Sequence, residues 1–174
     1  MNQTLQTILS RKSVKKFKSD SVDKALIEQI VRAGMQAPTG LNKQSPIILA
    51  VTNKEVRDKL SRINAGSDPF LRPDPFYGAP VVLVVLADKS VPTHVYDGTL
   101  VMGNMLLAAH SLGLGACWIH RAKETFETPE GKQILRDLGI EGEYEGIGNL
   151  VLGYRDGEYP APKERRAGRV VFVD

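Results

Sequence analysis

Three short segments of this chain carry side chains whose type and spacing suit the binding of a charged, ring-bearing ligand. The first is Arg11-Lys12-Ser13-Val14-Lys15-Lys16-Phe17. If the segment is extended, Arg11, Ser13 and Lys15 point to one side, because side chains alternate along a strand. Two cations and a hydroxyl on one face, with Lys12 next to them, offer the charge and the several donors that a phosphate group requires. The second is Ala37-Pro38-Thr39-Gly40-Leu41-Asn42-Lys43-Gln44-Ser45-Pro46. Asn42 and Gln44 each pair a donor with an acceptor, which suits the edge of a heterocyclic ring, and Gly40 lets backbone approach a ligand closely. The third is Pro162-Lys163-Glu164-Arg165-Arg166, where an extended chain puts Lys163 and Arg165 on the same face.

Each segment also has a plainer reading. The first is equally a solvated basic run after a helix. The second is built from ordinary turn residues, and the third is equally a solubilising tail. Other constellations fail on chemistry. Cys117 and His120 suggest a thiol–imidazole pair, but Cys117 sits in an apolar run, and free cysteines usually serve as small buried residues. His94, His110 and His120 lack metal-ligand spacing and companion cysteines. Gly113-Leu114-Gly115 has neither the third glycine nor the following helix of a dinucleotide fingerprint. The Lys/Arg clusters have no interleaved aromatics, which argues against a nucleic-acid surface.

These segments must be positioned by regular elements, and the apolar spacing indicates where those lie. Leu5 and Ile8 share a face of a first helix. A second begins near Ser21, a possible cap, with Asp23 at its positive end and Leu26, Ile27, Ile30, Val31 and Met35 at helical spacing. It stops by Ala37, because Pro38 disfavours helix in the residue before it. Residues 47–52 read as a strand and 53–63 as a helix with Val56, Leu60 and Ile63 on one stripe. Residues 64–78, broken by Pro69, Pro73, Pro75 and Gly78, read as a loop or lid. The β-branched run 80–87 suits a buried strand. Residues 95–112 form a long helix, apolar nearly all round and so expected to be central or at an interface. A short strand follows at 115–119. Thr128-Pro129 starts a helix that Gly139 ends, and 147–154 is a last buried strand. Residues 155–174 are polar and read as an extended arm. The sum is an α+β domain, helices covering a mostly buried sheet.

With 174 residues the chain is expected to be a single domain, large enough to bury about 70% of its unfolded surface without disulfides or a structural metal. Net charge of +3 is too small to indicate nucleic acid as partner. One cysteine allows no intrachain disulfide and fits a reducing compartment. Residues 1–10 lack a signal-peptide pattern, and the longest apolar run, 79–87, falls far short of the ~20 residues of a membrane helix. A cytoplasmic location is therefore expected.

In order along the chain, these motifs resemble those of the FMN-dependent nitroreductase family. The Arg-Lys-Ser-Val-Lys-Lys-Phe run is similar to its opening phosphate-binding motif. The Ala-Pro-Thr-Gly-Leu-Asn-Lys-Gln-Ser-Pro loop is similar to its second motif. Gly78-Ala79-Pro80 before a buried strand, the run Gly113 to Ile119 after a long helix, and the closing Pro-Lys-Glu-Arg also match. The resemblance implies a central, mostly antiparallel sheet flanked by helices and an intertwined homodimer with FMN at the subunit interface. It implies that Arg11, Lys12, Ser13 and Lys15, joined by Lys163 and Arg165, meet the phosphate and ribityl chain. Asn42 would bond the isoalloxazine ring, near Gln44, and Pro38, Thr39, Gly40 and Leu41 would come from the partner subunit. Trp118, Ile119, His120 and Arg121 would run along the flavin, with a backbone N–H near its N5. His120 and Arg121 depart from the small or acidic residues of that position. The implied activity is hydride transfer from NADH or NADPH through FMN to a small organic acceptor such as a nitroaromatic or quinone, with no catalytic side chain. Alternatives are a flavin-binding carrier or regulator without turnover, and a specialised flavin enzyme of the same fold, such as a dehalogenase or a flavin-degrading enzyme.

Overall fold

The computed structural model describes residues 1–66 and 74–173. Much of the expected lid, residues 67–73, lies outside the described residues. Four strands, β1 (Pro46–Val51), β2 (Val81–Asp88), β3 (Gly115–Ile119) and β4 (Tyr144–Gly153), form a sheet in the order β1-β2-β4-β3. Every neighbouring pair is antiparallel, so the sheet is wholly rather than mostly antiparallel. β2 is fully apolar from Val81 to Ala87 because both of its faces are covered.

One face packs against α2 (Lys24–Met35) and α4 (His94–Ser111), through Ile30, Met102, Met105, Leu83, Val85 and Leu150. The other is covered by α3 (Lys54–Ala65), α5 (Ala122–Glu127) and α6 (Pro129–Asp137), through Leu60, Phe126 and Ile134 against Val82, Val84 and Val151. α1 (Gln3–Ser10) lies against α4 and buries none of its residues.

The cap of α2 is Asp23, whose carboxylate accepts from Ala25 N–H at 2.9 Å; Ser21 lies too early in the chain for the first turn at Lys24. Asn53 and Thr128 cap α3 and α6 through their side chains. α5 was not visible as periodicity, since six residues make too few turns to show a stripe. β4 starts earlier than expected, at Tyr144. Its register slips between Val85 and Leu86 of β2, leaving Ile147 as an extra residue. Gly146 sits beside that bulge, where a Cβ would come 2.2 Å from the Ala122 carbonyl, so glycine lets α5 approach the sheet. α4 buries Asp97, Gly98, Val101, Met102, Met105 and Ala109 but leaves Val95, Tyr96 and Leu100 exposed. No helix among the described residues is long and apolar enough to cross a membrane.

Candidate functional site

Residues 11–18 run extended along the outer edge of β3 and then beside the chain that leaves β4. Val14 N–H donates to the Ala116 carbonyl (3.0 Å), Lys18 N–H to that of Tyr154 (2.9 Å), and Asp156 N–H to that of Lys16 (3.0 Å). Val14 turns inward and is 2% exposed. Alternation therefore turns Ser13 and Lys15 outward, and both line a cleft of 830 Å³. Cys117, Trp118 and Ile119 of β3 line it as well, as do Arg11, Lys12, His120, Arg121, Lys163 and Arg165. The two ends of the chain thus meet in one place. No carboxylate lines this cleft among the described residues.

The arm reaches the cleft by a specific anchor. The His110 ring stands between Ser10 Oγ (2.7 Å from Nε2) and the Tyr159 hydroxyl (2.7 Å from Nδ1). Ser10 Oγ gives its proton to the Gln6 carbonyl at 2.7 Å. One neutral tautomer then satisfies the set, with Nε2–H donating to Ser10 and Tyr159 O–H donating to Nδ1. Burial lowers the imidazole pKa, and the Arg11 and Lys12 cations lower it further. Arg155 stacks over the Tyr159 ring at 4.3 Å. From this knot, Pro160 and Ala161 carry the chain to Lys163 and Arg165 in the cleft.

At the opposite end of β3 the turn His120–Arg121 is held by buried groups. Asn64 Nδ2 donates to the His120 carbonyl at 2.9 Å, and Thr125 Oγ1 donates to the Arg121 carbonyl at 2.7 Å. Asn64 and Thr125 are each 2% exposed. Arg121 adopts a left-handed backbone, φ 72°. The opposing wall is a turn on α3: Asp74 accepts from Arg57 (2.7 Å), Ser61 (2.6 Å), Phe76 N–H (3.0 Å) and Gly78 N–H (2.7 Å). It presents Pro75 and Tyr77 to the cleft, with Lys15 Nζ 5.7 Å from the centre of the Tyr77 ring. Burial raises the Cys117 thiol pKa, outweighing the opposing effects of Ser13, Lys15 and Arg11.

The middle segment is not part of this cleft. Pro38, Thr39, Asn42 and Gln44 line a separate cavity of 350 Å³ with Met35, Gln36, Ala37, Pro46 and Val101. Gly40 and Leu41 do not line it; Leu41 stands 92% exposed. Leu41, Asn42 and Gln44 all have positive φ, at 49°, 53° and 50°. Such a run persists only where its surroundings dictate it. The dictating residue is Asp97 of α4, 3% exposed, which accepts from Gly40 N–H (3.0 Å), Ser45 Oγ (3.2 Å) and Thr93 Oγ1 (3.0 Å). Gln44 Nε2 donates to Asn42 Oδ1 at 3.2 Å.

Sequence reasoning did not single out Asn64, Pro75, Tyr77, Asp97, Thr125 or Tyr159. Asn64 fell in the segment 64–78 read as a loop or lid, Asp97 inside the long helix 95–112, and Thr125 in a stretch given no element. Only their distant partners, 56, 61 and 57 residues away, give them their tasks.

The sequence model of the Nitroreductase family matches residues 8–154. A protein of Methanothermobacter thermautotrophicus, whose name proposes an NADH dehydrogenase or NAD(P)H nitroreductase, is 32% identical over 123 residues, 66% of this chain and 59% of that protein. This chain thus spans less than two thirds of that relative's length. The NADPH-flavin oxidoreductase of Vibrio harveyi is 28% identical over 98% of this chain and 73% of its own. Among solved structures, a Bacteroides fragilis nitroreductase with bound FMN superposes with a TM-score of 0.89 at 27% identity, each chain covered in full. A Desulfitobacterium hafniense nitroreductase with bound FMN gives 0.88 at 26%, again over the whole of both chains.

Proposed function

The chain belongs to the nitroreductase family, and on that premise we propose that it is an FMN-dependent oxidoreductase passing hydride from NADH or NADPH to a small organic acceptor such as a nitroaromatic or quinone. The observation that carries this reading is the convergence of Arg11, Lys12, Ser13 and Lys15 with Lys163 and Arg165 in one cleft that no described carboxylate lines. A phosphate dianion needs that surplus of cations and donors. The volume falls in the range of cofactor pockets, and Trp118, Ile119 and Tyr77 add the flat apolar surface a ring system requires. The residues present therefore fit FMN.

When bound, FMN supplies the two-electron chemistry; the protein supplies binding, orientation and electrostatics. Arg11, Lys12, Ser13, Lys15, Lys163 and Arg165 hold the phosphate and ribityl chain. Trp118, Ile119, His120 and Arg121 border the ring. Asn42 and Gln44 serve its polar edge, next to Pro38, Thr39, Gly40 and Leu41. In one chain these two groups line separate cavities. One flavin meets both when a second copy supplies the 38–44 loop, so the reading includes a homodimer with FMN at its interface. The large apolar residues left exposed on α1 (Leu5, Ile8, Leu9), on α4 (Val95, Tyr96, Leu100) and at Val170, Val171, Phe172 and Val173 support it. Residues 1–174 act as one domain whose arm, 155–174, belongs to that interface. The single cysteine supports placing the protein in the reducing cytoplasm.

The test is direct. Purified protein is expected to be yellow, to hold about one FMN per chain by absorbance, and to oxidise NADH or NADPH in the presence of a nitroaromatic or a quinone. Protein that takes up no flavin on reconstitution would end the reading. Flavin uptake without turnover would make the chain a flavin carrier.

A further inference from the structure

The cleft is cationic at both ends, and a single phosphate engages only one of them. Ser13 lies against Cys117, and Val14 pairs with Ala116, at the start of β3. From Ala116 to Ile119 the strand advances about 10 Å at ~3.3 Å per residue, and His120 and Arg121 lie beyond it. Arg121 has no ion pair among the described residues. Its Nε is buried without a hydrogen-bond partner among them. Its guanidinium lies against Gly66, where an added Cβ would be 3.0 Å from Nη2. The backbone that presents it is left-handed, a conformation costly for a residue with a Cβ. It is fixed by Asn64, by Thr125 Oγ1 and by Thr125 N–H, which donates to the Arg121 carbonyl at 2.9 Å. Two buried side chains thus fix the turn that carries Arg121, a cation without an ion pair among the described residues, at the wall of a cleft that no described carboxylate lines.

We propose that Arg121, with His120 beside it, is an anion-binding element of the acceptor site and selects acceptors that carry a carboxylate or comparable anionic group over neutral ones of the same shape. The inference rests on the flavin reading of the cleft. A guanidinium is planar, permanently charged and able to hold a carboxylate with two parallel hydrogen bonds. A neutral acceptor leaves the guanidinium charge at the cleft wall without a counter-charge, whereas an anion supplies one. The same chemistry is present in the phosphates of the nicotinamide donor, so the two sources must be separated by experiment.

Flavin-loaded full-length protein is compared with Arg121→Gln and Arg121→Lys, using 4-nitrobenzoate and its neutral analogue 4-nitrobenzamide, with NADH and with NADPH. Separately, the oxidised proteins are titrated with benzoate and benzamide, following the change in flavin absorbance. The ratio of kcat/KM for nitrobenzoate over nitrobenzamide is expected to fall about tenfold or more in Arg121→Gln, with partial recovery in Arg121→Lys, whichever donor is used. Benzoate affinity is expected to fall in parallel. An unchanged ratio in flavin-loaded Arg121→Gln overturns the proposal. So does a loss seen only as a raised KM for NADPH or NADH, which would give the cation to the donor. If the variants lose flavin, the wild type decides alone: it must bind benzoate more tightly than benzamide, with a preference that shrinks as salt rises, and equal binding overturns the idea. Protein without flavin ends both this inference and the function above; a flavin-loaded enzyme that treats both acceptors alike ends only this one.

Discussion

Replacing Arg11 by alanine tests the cleft at its phosphate end, and the structure sets the magnitude. The Arg11 side chain is half-buried, lines the cleft and makes no hydrogen bond or ion pair among the described residues, so its loss costs the fold little. Losing a charge-assisted hydrogen bond to a partly desolvated phosphate costs about 1.5–3 kcal/mol, roughly a 10- to 150-fold rise in the FMN dissociation constant. Lys163 lines the same cleft from the exposed arm. Solvent screens such a pair, which is worth roughly 0.2–1 kcal/mol, so Lys163→Ala is expected to weaken FMN only a few-fold. Lys16 is the control. It shares the motif but points away, pairing with Asp156 at 2.9 Å, both side chains well exposed; its truncation is expected to leave FMN affinity unchanged. The assay is fluorescence titration of each apoprotein with FMN at fixed low salt, alongside apoprotein melting curves. An Arg11→Ala protein that binds FMN within about twofold of wild type would show that Arg11 is a surface charge and that the phosphate does not sit where the chain ends converge. A Lys16→Ala effect as large as that of Arg11→Ala would equally break the argument from alternation.

Cys117→Ala is expected to retain turnover and to lose about 1 kcal/mol of packing, because burial raises the thiol pKa and keeps it protonated at neutrality; abolished activity would reveal a role for the sulfur. Sedimentation is expected to show a dimer at micromolar concentration, with an interface well over ~2,000 Å², and a stable flavin-loaded monomer would refute it. Because one cleft is to serve donor and acceptor in turn, double-reciprocal plots are expected to be parallel; intersecting lines would count against a shared site. Burial pushes the Asp74 carboxyl up, but hydrogen bonds from Arg57, Ser61 and Gly78 outweigh it and hold the pKa below the usual carboxylate range. A depressed carboxylate stabilises the fold above its unfolded value of ~3.9 and loses that contribution as pH falls through the folded value. Protection of α3 and residues 74–79 against hydrogen exchange, taken relative to the intrinsic rate at each pH, is therefore expected to fall below about pH 4, and Asp74→Asn to flatten that dependence; an unaltered acid profile in the variant would contradict this.

Local chemistry was legible in the sequence wherever its cause is local. The β-branched run of β2, the bounds of β3 at Gly115–Ile119, and the cap at Thr128 were readable because apolar periodicity and cap chemistry act over a few residues. So was the outward face of Ser13 and Lys15, since alternation needs only an extended backbone. What tertiary structure decided lies between residues far apart in the chain. Taken by their spacing alone, Lys163 and Arg165 are equally a tail; the knot of Ser10, His110 and Tyr159 is what brings the arm back to Arg11. Asp97 carried no signal beyond its place in the long helix until the 39–45 loop folds onto it. Asn64 read as the start of a loop and Thr125 as nothing in particular until they grip the turn that carries Arg121. Periodicity records which face of an element is apolar; which other element covers that face, and which distant donor meets which acceptor, is chosen only when the sheet order β1-β2-β4-β3 closes the chain upon itself.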